Sequence, residues 1–598
     1  MMIRFIGALG TVTGSCTLLN YRNQYYLVDC GVEQGCHLNA NVFGSFDFKP
    51  EALSAVFLTH AHLDHCGSLP LLVRQGFRGK IYCSRATANL ARLALTNAAT
   101  LPAAGYSAAD VSRLDFVCLD ERADFEYGQF FGIDHNLTVA MIRTSHVLGS
   151  VGFEFQFSER GEGKSNQRKT IVFSGDIGVN VKGNCYQPLL NDRQYPSTHA
   201  EYLVCESTYG GRNRHHEYTN YEKRQQALKA VLLKAAQAGS GATVIFPCFT
   251  LQRLQDLVID LHCLLECHLD DHSLVQICCR DIDAPDPRPS IIIDSPLAQK
   301  YGEIFIRELL RTRSNGKPFY LNSELIQRLR IRPDELPEFL ATIFGQRPEK
   351  QVANRYALYH GMPSLSTKGG LRIILAGSGM CNGGRIMQHL EHQLPDKRTT
   401  VVITGYQGLG TPGAELQRRA KTPSAIIDGS AWKLSNDSIQ ATVVDLSGYF
   451  SGHADHSGLV DYIMRIDSKH PYQKLKRVFL VHGDNHARKA LADDIVLKAK
   501  LNSSDFRLVE KVELPNTGGG WFDLMKNMWG AKFDPQIDSP AAASIRSLSH
   551  LQKMDGPLLQ LCQGNQDAKL IDEIVKHFNQ AKFYLECTRL SLPILRTR

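Results

Sequence analysis

Six consecutive residues, His60-Ala61-His62-Leu63-Asp64-His65, place three imidazoles and a carboxylate directly after the apolar run ALSAVFLT. Imidazole nitrogen and carboxylate oxygen are good zinc ligands. A lone histidine is more often a surface or structural residue, but four donors at this spacing behind a buried strand point to metal binding. If His60 and His62 project to one side of an extended turn they can share an ion. Asp64 and His65 are then left to turn toward a second one nearby. These four side chains by themselves support a metal-dependent hydrolase.

The elements that must position them follow a repeating scheme of β-branched strand, polar or glycine-rich turn, and amphipathic helix. ALSAVFLTH runs into HLDHCGSLPLLVRQGF, and KTIVFSGD, AEYLVCESTYG, GATVIFPCFT, PSIIIDSPLA, LRIILAGSGM, TTVVITGYQ and KRVFLVHGD repeat the pattern. It implies α/β layers with largely buried strands. The opening stretch differs: MIRFIGALG, GSCTLLNY and QYYLVDCG have the spacing of an antiparallel meander. The chemically interesting residues fall just past strands, and open α/β sheets hold ligands outside the carboxyl ends of their strands. Three stretches read as insertions or extensions: a polar hairpin loop at 158–169, the Arg- and Pro-rich residues 311–366, and a tail from about 520, with one helix expected around 567–586.

At 598 residues the chain exceeds what one core supports, so more than one domain is expected. Apolar residues make up 43% and charged residues 21%, an ordinary globular composition. The net charge of +7 is compatible with a polyanionic partner and equally with none. Sixteen cysteines without a CxxC pair read as reduced, mostly buried thiols of a cytoplasmic protein, not as a cysteine-rich zinc module. MMIRFIGALGTVTGS reads as an opening strand and not as a signal peptide, and no apolar run is long enough to span a membrane.

HAHLDH resembles the HxHxDH signature of the metallo-β-lactamase superfamily. The family's other positions are matched in order by Asp29 in YYLVDCG, His146 in TSHVLGS and Asp176 in VFSGDIG. Glu206 in CESTYG, the segments IFPCFTLQRLQ, IDSPLA and AGSGMCNGGRIMQHL, His453 in FSGHADH and His482 in LVHGD narrow the likeness to the β-CASP subfamily, whose members cleave nucleic acids. The likeness runs from residue 1 to about 515. It implies an α/β fold, a metallo-β-lactamase αββα sandwich with an inserted α/β β-CASP cap. The expected domains are 1–207 and 401–520 for the sandwich and 208–400 for the cap, with its insertion at about 311–366. Residues 521–598 are left as an extension of unknown role.

By the same resemblance, His60, His62 and His146 hold one ion, Asp64, His65 and His453 hold the other, and Asp176 bridges them. Two Zn²⁺ per chain are expected, with Mn²⁺ as an alternative. Asp29 is expected behind the ligands, orienting one of them. The turn at Ser378 and Gly379, before a helix, suits an anion, and Arg385 and His482 are expected to add phosphate contacts. Catalytic roles fall to Asp64, Asp176, Glu206 and Glu415. Glu206 is the candidate for protonating the leaving oxygen through a neighbouring group. One departure bears on this: where eukaryotic relatives have a histidine after the GY-x-x-x-GT segment, GYQGLGTPGAEL carries Glu415, which is expected to share a proton with Glu206. The implied activity is hydrolysis of RNA phosphodiester bonds by a metal-activated hydroxide, with single-stranded RNA as substrate and no membrane partner. A small thioester or lactone hydrolase and an inactive RNA-binding scaffold are the alternatives. Endo- versus exonuclease action and oligomeric state stay open, a homodimer among the options.

Overall fold

The computed structural model of the 598-residue chain describes residues 1–33, 46–101, 104–134, 137–159, 167–179, 186–191, 200–239, 241–267, 290–344, 356–358, 371–408, 410–468, 475–502, 512–516, 519–530, 534 and 536–537. Among these residues the strands form three sheets. The first opens as an antiparallel meander of β1 (Met2–Phe5), β2 (Thr17–Tyr21) and β3 (Gln24–Val28). It continues in parallel through β4 (Leu53–Phe57), β5 (Lys80–Cys83) and β6 (Phe116–Cys118). The second runs antiparallel through β7 (Phe131–Asp134), β8 (Leu137–Arg143), β9 (Val151–Glu159) and β10 (Gln167–Phe173), then adds β11 (Tyr202–Glu206) parallel to β10.

The two sheets stack face to face because each alternates large apolar side chains toward the other. The Phe57 ring of β4 meets Phe155 of β9 edge-on at 4.7 Å and Phe153 at 5.5 Å. Helices cover the outer faces. On the first sheet the helix Arg85–Ala98 turns Leu90, Ala91, Ala94 and Leu95 inward, and its N-cap Ser84 accepts the Thr87 N–H. On the second, His456–Ser468 and Asn485–Asn502 pack Leu459, Ile463, Leu491 and Ile495 against Val172, Leu203 and Leu480.

The third sheet is wholly parallel, with β12 (Thr243–Pro247) at its middle, flanked by β13 (Ser290–Asp294), β14 (Tyr356–Leu358), β15 (Arg372–Ala376), β16 (Thr399–Ile403) and β17 (Thr442–Asp445) in the order β14-β13-β15-β12-β16-β17. Both faces are covered, so β12, β15 and β16 are near-continuous apolar runs. The chain then returns to the sandwich. β18 (Arg477–Val481) pairs in parallel with β11, β19 (Val512–Glu513) with β18, and β20 (Phe522–Asp523) runs antiparallel to β1 with β21 (Met528–Trp529) outside it. The architecture is a two-sheet sandwich flanked by helices, with an α/β domain inserted between β11 and β18.

Two expected boundaries differ from this. The cap sheet does not end near 400: β16 and β17 belong to it, and the sandwich resumes only past Asp445. The stretch 521–529 belongs to the first sheet and not to an appended tail. The reason is physical. Strand-turn-helix units read alike in both domains, and two-residue strands carry no periodicity. The segment expected to be a peripheral insertion forms the helices Ser323–Arg328 and Leu336–Ile343. It is tied to the sandwich through Arg311, whose Nη1 lies 2.6 Å from the buried Asp120 carboxylate. Residues 160–166, residues 345–355 and 359–366 of the expected insertion, and the helix expected at 567–586 lie outside the described residues. Among the described residues no helix is long and apolar enough to cross a membrane.

Candidate metal centre

The chemistry-bearing side chains gather where strands of both sandwich sheets end. Asp29 follows β3, Thr59 to His65 follow β4, His146 follows β8, Asp176 follows β10, Glu206 closes β11 and His482 follows β18. His453 comes in on the segment returning from the cap. Backbones approach closely enough here to require glycine at two turns. A Cβ on Gly31 would sit 1.6 Å from the Asp64 carbonyl oxygen, and one on Gly178 would sit 1.8 Å from that of Ser145, next to His146.

Each of four imidazoles has its Nδ1 occupied from behind. Asp29 Oδ2 takes His65 Nδ1 at 2.7 Å, Thr59 Oγ1 lies 3.1 Å from His60 Nδ1, the Gly452 carbonyl takes His146 Nδ1 at 2.9 Å, and Thr208 Oγ1 lies 3.1 Å from His482 Nδ1. The Nε2 atoms therefore all turn into one cavity. His60 Nε2 and His146 Nε2 lie 3.1 and 3.2 Å from His62 Nδ1, and His65 Nε2 lies 3.1 Å from His482 Nε2. Asp176, 2% exposed, stands between the two groups. Its Oδ2 is 3.5 Å from His60 and His146 Nε2, and its Oδ1 is 3.3 Å from His65 Nε2 and makes no well-formed hydrogen bond. An orphaned buried carboxylate oxygen facing converging imidazole nitrogens is what a metal site leaves when described by its protein atoms alone.

At this centre three groups of donors could each hold an ion: His60, His62, His146 and Asp176; Asp64, His65 and His482; and Asp176, Glu206 and His453. The nitrogen-and-carboxylate set suits a borderline-soft divalent cation. Burial, and then the neighbouring histidines, hold His60 and His146 well below the usual imidazole range, which keeps their rings neutral and their lone pairs free. Asp64 is brought down to about 2: burial opposes ionisation, but the hydrogen bond from His482 and the charge of His65 outweigh it.

Glu206 and His453 form a separate pair beside the first group. Glu206, 1% exposed, accepts the Ile177 N–H at 2.7 Å and the Thr208 N–H at 3.1 Å, and its Oε1 lies 3.1 Å from His453 Nδ1. His453 Nε2 faces the cavity, 3.9 Å from Asp176 Oδ2. Burial alone would depress this imidazole, but the Glu206 and Asp176 carboxylates push it up to about 10.

Several expected roles change place. His453 was expected beside Asp64 and His65, and His482 on phosphate. His482 lies against Asp64 and His65, and His453 lies against Glu206 with its Nε2 3.9 Å from Asp176 Oδ2. Sequence order conveys that both histidines follow strands, but not which strand end is nearer. The expected Glu206–Glu415 pair is not formed. Glu415 lies in the first turn of the helix Pro412–Lys421, paired with Arg418 at 2.7 Å, while Glu206 accepts from the Ile177 and Thr208 N–H groups and lies against His453. Arg385 is committed to the buried Asp294, 2.6 Å away, beside His389 at 2.7 Å, so it braces the cap. Ser378 and Gly379 lie in the turn after β15, Ser378 Oγ donating to Asn382. Asp29 lies behind His65, also taking the Thr59 N–H at 2.8 Å. Thr59, Thr208 and the Gly452 carbonyl were missed: a threonine hydroxyl and a main-chain oxygen leave no motif.

A two-sheet sandwich with imidazoles and carboxylates converging at its strand ends, interrupted by an α/β cap, defines a metal-dependent hydrolase. The chain belongs to the metallo-β-lactamase superfamily, in its β-CASP branch. The metallo-beta-lactamase superfamily pattern matches residues 9–154, the Beta-Casp domain residues 258–416, and the Zn-dependent metallo-hydrolase RNA specificity domain residues 437–503. Ribonuclease TTHA0252 of Thermus thermophilus is 31% identical over 502 residues, covering 84% of this chain and 97% of that protein. The transcription termination factors FttA of Methanocaldococcus jannaschii and Methanosarcina mazei are each 27% identical, covering 82% and 85% of this chain and 68% and 71% of theirs.

Proposed function

We propose that the chain is a zinc-dependent ribonuclease that hydrolyses phosphodiester bonds of single-stranded RNA. The observation that carries this reading is the Glu206–His453 pair set beside two converging donor groups, in a chain that matches over 84% of its length a protein named a ribonuclease. His60, His62 and His146 would hold one Zn²⁺ and Asp64, His65 and His482 the other, with Asp176 between. Bound there, the ions supply positive charge to a phosphoryl group and bring the pKa of a water toward neutrality.

The chain's own residues do the rest. Asp29, Thr59, Gly452 and Thr208 fix the ring orientations, so the site costs little reorganisation when substrate arrives. Glu206 accepts at both oxygens and holds His453 with Nδ1 toward itself and Nε2 toward the cavity. His453 Nε2 then delivers the proton to the departing oxygen as the phosphorus–oxygen bond breaks. Glu206 is thus the positioning partner and His453 the acid, in place of a carboxylate pair. The intact donor set argues against an inactive scaffold, and the cap against a small thioester or lactone. Incubating the purified chain with end-labelled single-stranded RNA and zinc should give cleavage that chelation abolishes. Uncut RNA with metal bound refutes the reading, and the ladder separates endo- from exonucleolytic action.

A further inference from the structure

The carboxyl edge of the cap sheet carries a pair of aromatic side chains that the chemistry above does not use. β15, β12 and β16 lie side by side, so the turns that follow them meet. Phe249, two residues past β12, lies between the turn after β15 and the turn after β16. A Cβ on Gly379 or on Gly405 would each come 2.7 Å from its ring. Both turns therefore need glycine at the place where the ring rests. Phe249 still keeps 36% of its surface exposed, and Tyr406, next to Gly405, keeps 57%. A single exposed ring is unremarkable in a folded protein. Two on touching turns at the carboxyl edge of a parallel sheet, where α/β domains hold their ligands, ask for a partner.

The same turn is fastened to the metal centre. Three residues past Phe249, Gln252 Oε1 accepts the Leu148 N–H at 3.0 Å, two residues beyond His146. The next residue, Arg253, donates to the Phe450 carbonyl, three residues before His453. The turn that carries Phe249 is therefore bonded to the segments that carry His146 and His453.

We propose that Phe249 and Tyr406 form a nucleobase-stacking platform that takes bases of the RNA strand next to the scissile phosphate. The proposal rests on the ribonuclease reading of the site and adds how the strand is gripped. Every base has a π face, so the platform selects single-stranded nucleic acid without reading its sequence. Loss of one stacked base is expected to weaken binding roughly 10-fold.

The test uses the full chain stripped of metal, so that RNA is not cut during the titration and the result does not depend on activity. Short single-stranded RNAs carrying one 2-aminopurine, moved along the strand, are titrated into wild type, Tyr406→Ala, Tyr406→Trp and Phe249→Leu. Tyr406 is exposed, so its variants are expected to fold as wild type does. Quenching at particular positions in wild type is expected to be lost in Tyr406→Ala and kept in Tyr406→Trp. Tyr406→Ala should bind roughly 10-fold more weakly, and an abasic residue at the quenched position should erase the difference between it and wild type. In the zinc-loaded chain the same variant should raise KM and leave kcat within about twofold, as for an interaction equal in ground and transition states. Unchanged quenching and affinity in Tyr406→Ala overturn the platform even if RNA is cut. So does an aromatic pair that binds no RNA base while the zinc-loaded chain still cleaves. Absence of any cleavage by the loaded wild type overturns the ribonuclease reading itself.

Discussion

Asp29→Asn isolates the effect of one buried carboxylate on a metal site it does not touch. Asp29 is 2% exposed and binds four groups: the Thr59 N–H at 2.8 Å, Thr59 Oγ1 at 2.9 Å, Ser15 Oγ at 3.4 Å and His65 Nδ1 at 2.7 Å. By taking His65 Nδ1, the carboxylate leaves Nε2, which faces Asp176 and His482, as the atom of the ring that can ligate an ion. An asparagine keeps its carbonyl for the Thr59 N–H and turns its NH₂ toward His65. The ring then answers as an acceptor, moving its proton to Nε2 and aiming an N–H into the cavity. Restoring the ligand tautomer would set two donors against each other in a dry site, at a cost of about 1–3 kcal/mol. That matches the roughly 10–100-fold loss of metal affinity expected when a partner behind a ligating histidine is removed. The loss should fall on the ion proposed for Asp64, His65 and His482, while the ion proposed for His60, His62 and His146 should bind near wild-type strength. Competition titration of the stripped chain against a chromophoric zinc chelator resolves the two steps, with thermal melting of the stripped chain as a control for folding. Two wild-type binding steps in Asp29→Asn would refute the tautomer argument.

Three other outcomes follow from the same geometry. Glu206→Gln sets an NH₂ against either the Ile177 or the Thr208 N–H and removes the negative charge that keeps the proton on His453, so kcat for RNA should fall by about 10²–10⁴ with metal binding unchanged; elemental analysis beside cleavage kinetics checks it. Gly178→Ala forces a Cβ into the Ser145 carbonyl, backbone against backbone, and should cost about 3 kcal/mol or more in urea unfolding, together with metal bound at His146. Asp256 is pushed up to about 7, mainly by burial, against the opposing pull of Arg253 and Arg224. Its folded pKa lies above its unfolded one, so the native state holds the extra proton between about pH 4 and 7 and this group's contribution to stability declines as pH rises through that window. Asp256→Asn should remove that slope, so the stability gap between wild type and variant should shift in favour of the variant from pH 5 to pH 8. A constant gap would contradict the assignment.

The sequence by itself determined the donor set and the fold class. HAHLDH, Asp29, His146, Asp176, Glu206, His453 and His482 are all legible because metal chemistry restricts residue type and because each sits just past an apolar, β-branched run. The alternation of opening meander and strand-turn-helix units was legible for the same local reason: periodicity is a property of neighbours along the chain. Tertiary structure alone decided the pairing. His453 and His482 differ by 29 positions and occupy similar contexts, yet the parallel pairing of β18 with β11 delivers His482 to Asp64, while the return from the cap delivers His453 to Glu206. Glu415 looked like a partner for Glu206 from its place in a motif, but its helix turns it to Arg418. The domain boundary near Asp445 and the return of 521–529 to the first sheet were hidden too, because sheet membership is a matter of which edge a strand meets. Residue type fixed what could bind metal or move a proton, and the crossing of distant strand ends fixed which of those groups lie against one another.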